Sequence, residues 1–115
     1  MNTKTEYINN IINIVYECCV AEVDNKGSKS FSIDDLLGQV RTENVVMTRC
    51  ILVMLILREG FSVTTCSIVL HRTAHAISNL HKKSQDYLAT SRAFKIAYIE
   101  AATRVDKIKN EMNLG

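Results

Sequence analysis

The chain has 115 residues, 47% of them hydrophobic, which suits one domain able to bury a core without disulfide or metal staples. It has no proline and only four glycines, and its apolar residues recur mostly at helical spacing, so an all-α domain of about six helices is expected over 1–115, with its core in 6–100. A formal net charge of +2 hides an asymmetry: residues 1–37 carry three Lys/Arg against six Asp/Glu, residues 38–83 six against two, and residues 84–115 five against four, so a polyanion would meet the middle segment.

The N-terminal stretch lacks the basic, apolar and small-residue order of a secretory signal, and a cytoplasmic protein is expected. A first helix is predicted from near Thr3, with Glu6 at capping-box spacing, to about Val23. Its stripe Tyr7, Ile8, Ile11, Ile12, Val15 and Cys19 needs a partner, and the rest of the domain is the expected supplier. Asp24 to Ser30 reads as a flexible loop.

Ser32 can cap a short second helix whose acidic first turn, Asp34 and Asp35, complements the helix dipole before Leu36, Leu37 and a terminating Gly38. The turn 39–44 carries Arg41. Asn44 can cap a third helix, Val45 to Glu59, apolar nearly all round and therefore central. Its apolar run, Val45 to Leu57, is interrupted by Arg49 and falls short of the roughly 20 residues of a membrane span.

Gly60 ends that helix, and Ser62 or Thr64 can cap a short fourth one through Val69. A tight connection at 70–72 leads to a fifth helix capped by Thr73 and running from Ala74 to about Leu88, which makes a helix-turn-helix over about 62–88. Ile77, Leu80 and Leu88 face inward, while His75, Ser78, Asn79 and Lys82 share the outer side and can address base edges. Thr90 or Ser91 starts a last helix with Phe94, Ala97, Tyr98, Ala101, Val105 and Ile108 at spacings of three and four, fraying toward Leu114.

Other chemistries find little support. Neither a phosphate-binding G-x-x-x-x-G-K-[ST] loop nor a dinucleotide G-x-G-x-x-G occurs, so no nucleotide or other cofactor is expected. No nucleophile motif surrounds any Ser, Cys or His, and the adjacent Asp34 and Asp35 read as first-turn helix residues, so no enzymatic activity is expected. Cys18, Cys19, Cys50 and Cys66 form no C-x-x-C pair and read as reduced, mostly buried thiols. A metal set drawn from Cys66, His71, His75 and His81 lacks the tight paired spacing of zinc ligands, so no metal is expected.

The segment Asp35-Leu-Leu-Gly-Gln-Val-Arg-Thr-Glu-Asn-Val-Val-Met-Thr-Arg49 resembles the basic-loop region of the C-terminal DNA-binding domain of the bacterial replication initiator DnaA, a Trp-repressor-like helix-turn-helix domain. The order of elements is similar over residues 6–100, and Arg72-Thr-Ala-His-Ala-Ile77 stands where that family carries a signature near Arg-Asp-His-Thr-Thr-Val. The resemblance implies duplex DNA as partner and a role in replication or its regulation. It places Arg41 in the minor groove, sets Arg49, Arg72, Lys82 and Lys83 on phosphates, and leaves Thr73, His75, Ser78 and Asn79 for base edges. Thr73, Ala74, His75 and Ala76 replace the signature's central four residues, so base reading must differ, and the family's ATPase domain is not in these residues. On its buried helix Arg49 has a rival role, pairing with Asp34 or Asp35. The alternative function is a helical protein-interaction module, with the acidic N-terminal third and the stripe of the first helix serving a protein partner or self-association.

Overall fold

A computed structural model describes residues 3–25 and 31–112. They form six helices: α1 (Thr3–Asn25), α2 (Ile33–Leu37), α3 (Glu43–Arg58), α4 (Val63–Leu70), α5 (Ala74–Thr90) and α6 (Arg92–Glu111). The fold is all-α, as composition and periodicity predict, and among the described residues no helix is long and apolar enough to cross a membrane. Most of the loop expected after Asp24 lies outside the described residues, as do the N-cap position of α1 and the expected fraying at Leu114. Asp24 itself still belongs to α1.

Serine and threonine caps set most helix starts. Ser32 accepts from the Asp35 amide while the Asp35 carboxylate accepts from the Ser32 amide, a reciprocal capping box at 3.0 Å each way. Ser62, Thr73 and Ser91 accept from the amides of Thr65, Ala76 and Phe94, satisfying donors that the first turns of α4, α5 and α6 leave open. α3 departs from expectation: it starts at Glu43 with Thr42 in the cap position, and Asn44 lies within the helix. There the Asn44 carbonyl accepts from Thr48 Oγ1 at 2.8 Å. α3 ends as Gly60 takes φ +90°, which only glycine adopts cheaply, and the amides of Gly60 and Phe61 turn back to the carbonyls of Leu57 and Ile56.

α3 is the hub and touches all five other helices. Val45, Cys50, Leu52, Val53, Leu55 and Ile56 are sealed from solvent around it. α1 and α6 pack on one side of the hub, with Asn10 meeting Met112 and Glu17 meeting Arg104, so these two helices run antiparallel. The α1 stripe therefore finds its partner within the domain: Tyr7, Ile11, Ile12, Val15 and Cys19 are buried, and Ile8 packs at their edge. From α6, Phe94, Ala97, Ala101 and Val105 complete that core.

One buried carboxylate ties the three helices. Glu59, with its side chain 3% exposed, accepts from the Tyr7 hydroxyl at 2.6 Å and pairs with Lys109 at 3.3 Å and Arg58 at 3.2 Å. Arg58 in turn holds Asp106 through two contacts of 2.9 and 3.0 Å. Burial and this hydrogen bond push the Tyr7 phenol well above its ordinary range.

All four cysteines are free and buried. Burial pushes the Cys19 thiol up to about 12 and the Cys66 thiol to about 11, from an ordinary 9.0. An acid whose pKa is higher folded than unfolded stabilises the fold in full below its unfolded value and ceases to do so as pH rises through its folded one. Stability measured by denaturant midpoint is therefore expected to hold up to pH about 9 and to fall between about 9 and about 12. At neutral pH a disulfide-exchange reagent should label these thiols only at the rate of unfolding; fast labelling of the native protein would refute their burial.

Candidate nucleic-acid interface

The basic middle segment folds around the C-terminal end of α2. A five-residue helix leaves its last carbonyls without intrahelical partners. Arg49 rises from α3 to meet them: Nε donates to the Leu36 carbonyl at 2.8 Å, and Nη2 donates to the carbonyls of Asp35 and Gly38, each at 3.0 Å. The side chain is 2% exposed. This geometry commits Nε and Nη2 to backbone carbonyls and leaves only Nη1 for the phosphate contact expected of Arg49. It also redirects the rival expectation of an acidic partner, since the Asp35 carboxylate is held in its capping box and the backbone carbonyls take the charge instead.

Arg72 reaches the same point from the α4–α5 connection. Its Nη1 donates to the Leu70 carbonyl at 2.8 Å and its Nη2 to Gly38 at 2.7 Å. The Gly38 carbonyl thus accepts from two guanidinium groups, each helping to neutralise the carbonyl end of a helix. A Cβ on Gly38 would lie 2.8 Å from the Asp34 carbonyl oxygen, so the turn closes this tightly only with glycine.

The segment anchored at Gly38 carries the exposed Arg41. Arg41, Arg49, Arg72, Asn79 and Lys83 line an open groove of about 420 Å³, with Val46, Ala76 and Leu80 supplying its apolar surface. No acidic residue lines it, and among the described residues none of the three arginines pairs with a carboxylate. Burial, then the neighbouring charges of Arg72 and Arg41, hold the Arg49 guanidinium below its ordinary pKa. Lys83 lies over the Tyr87 ring, 5.8 Å from its centre.

Thr73 at the N-cap of α5, and His75, Ser78 and Lys82 on it, are exposed but lie outside the groove lining. The Thr73 hydroxyl is occupied, accepting from the Ala76 amide at 3.1 Å. The expected line 75, 78, 79 and 82 and the groove line 76, 79, 80 and 83 are adjacent rows of one helix, meeting at Asn79. Sequence reasoning missed Val46, Ala76 and Leu80, although the spacing from Arg72 through Ala76 and Leu80 to Lys83 is itself helical. Before α5, His71 takes φ 54°, a left-handed conformation rare outside glycine, and so makes the sharp turn between α4 and α5. Among the described residues no three His, Cys, Asp or Glu side chains come together as a metal site.

Because the buried Arg49 satisfies three carbonyls with one planar fork, Arg49→Ala is expected to cost about 3 kcal/mol in denaturant unfolding. Arg49→Lys should recover less than half of that, since a lysine ammonium lacks the rigid fork. A lysine variant as stable as the original would show that charge alone, not the fork, holds the turn.

No family model, no curated protein and no solved structure matches the chain.

Proposed function

We propose that this protein binds double-stranded DNA through a helix-turn-helix formed by α4 and α5 together with the basic loop at Arg41, in a role related to replication or its regulation as the resemblance to the DnaA C-terminal domain implies. The observation that carries the reading is the groove in which Arg41, Arg72, Lys83 and Arg49 converge with no acidic residue in the lining. Like charges held together without carboxylates raise the energy of the free protein, and a phosphate backbone relieves that repulsion.

In this reading the exposed Arg41 enters the minor groove, and Arg72, Lys82 and Lys83 flank the backbone. His75, Ser78 and Asn79 face base edges from the first turns of α5, with Thr73 contributing mainly as the cap that shapes the helix start. Arg49 holds the turn through Nε and Nη2 and adds its charge toward the phosphate backbone.

A protein-interaction role has one specific observation in its favour: Ile68, Ile96 and Ile99 are exposed, Ile68 at 69%. The α1 stripe first considered for that role is buried against α3 and α6.

Fluorescence anisotropy of labelled random-sequence duplexes, titrated at several salt concentrations, separates the two readings. DNA binding is expected to weaken steeply with salt. Arg41→Ala and Lys82→Ala should each lower affinity and flatten the log–log salt slope by about 1. His75→Ala should change which sequences are retained more than how tightly they bind. Absence of binding at low salt, or indifference to the double change of Arg41 and Lys82, rejects the groove assignment.

A further inference from the structure

Arg49 reaches the basic groove with part of its hydrogen-bonding capacity unspent. Its Nε–H and both Nη2 hydrogens go to the carbonyls of Leu36, Asp35 and Gly38, while the two hydrogens on Nη1 have no partner among the described residues. Among those residues Ser67 Oγ is the only buried side-chain polar atom that is both sealed from solvent and unpartnered, so Nη1 keeps an opening. That opening is the groove Arg49 lines, and the rest of the side chain is 2% exposed.

Arg72 lies against it. Nη2 of Arg72 and Nη2 of Arg49 donate to the same Gly38 oxygen, at 2.7 and 3.0 Å, which holds the two guanidinium groups side by side. The Arg72 Nε has no partner among the described residues, and Arg41 and Lys83, both exposed on the same lining, form no ion pair there. Water solvates Arg41 and Lys83 well, but it serves a guanidinium as buried as Arg49 poorly, and no carboxylate takes its place.

We propose that this groove is a binding site for a multiply charged phosphate, a diphosphate group, received by Arg49 Nη1 and Arg72 with Arg41 and Lys83 as flanking charges. Planar, directed guanidinium donors match the several oxygens of a phosphate. A chloride or carboxylate brings a single charge to this cluster, as does each phosphate of a nucleic-acid backbone, whereas linked phosphates bring several within the span of one groove. At about 420 Å³ the groove has room for them. The site shares the groove with the proposed DNA contact but does not rest on that reading.

The test titrates the ¹⁵N-labelled full chain with inorganic pyrophosphate and, separately, with dimethyl phosphate, the singly charged mimic of a backbone phosphate, at equal ionic strength. Pyrophosphate is expected to shift the amide signals of Val46, Arg72, Ala76 and Leu80 and the side-chain Nε signal of Arg49 with one shared midpoint. That midpoint should lie at least about 10-fold below the one for dimethyl phosphate. Arg41→Ala and Lys83→Ala, at exposed positions, should each weaken pyrophosphate binding by about 3-fold while leaving the spectrum of the fold intact. The proposal is overturned if pyrophosphate gives no saturable shift, if the two phosphates bind alike, or if the double change of Arg41 and Lys83 leaves the midpoint unmoved. A duplex titration run in parallel keeps the two readings apart. Duplex binding by a protein indifferent to pyrophosphate rejects the diphosphate site alone, and pyrophosphate binding by a protein indifferent to duplexes rejects the DNA reading alone.

Discussion

One guanidinium, carried into the interior by the most apolar helix of the chain, holds together the part of the structure on which the candidate interface is built. Arg49 is buried without a carboxylate partner, and the cost of moving its charge out of water is offset by three carbonyl oxygens at the end of α2. Those carbonyls carry the negative end of a helix dipole; without Arg49, Leu36 would lose its donor, Asp35 would keep only the Gly38 amide and Gly38 only Arg72. With them fixed, the Gly38 carbonyl is positioned for Arg72, and the chain leaving Gly38 carries Arg41 to the rim of the groove. Scaffold and candidate site therefore share the same atoms.

The division of labour within α3 follows from its geometry. A helix apolar on every side needs neighbours on every side, and five other helices provide them. Where those neighbours separate, a concavity is left: one edged by Glu22 and Glu43 beside α1 and α6, and a basic one beside α5. Their opposite charge reflects the sequence, because the acidic residues gather early in the chain and the basic ones in its middle.

Much of this was legible in the sequence. Ser32, Ser62, Thr73 and Ser91 mark helix starts because a short oxygen-bearing side chain satisfies first-turn amides. The stripes of α1 and α6 announced the helices that would bury them. The start of α3 was misread because Asn44 is a good cap by type, whereas Thr42 occupies that position without a side-chain bond. The placement of Arg49 was hidden for a deeper reason: its partners are backbone carbonyls, which every residue possesses and no side chain advertises. On α5 the basic and polar residues were seen, but their grouping depended on Val46 and on the Arg41 turn, which only the tertiary structure brings beside that helix.

The antiparallel pairing of α1 with α6 places the two ends of the described chain side by side, Asn10 against Met112. During synthesis the first helix therefore emerges long before α6, the helix that covers it most, and its row of isoleucines must wait for that cover while α3, Phe31 and Phe61 pack against α1. Such a topology makes closure of the bundle a late event dominated by contacts distant in sequence.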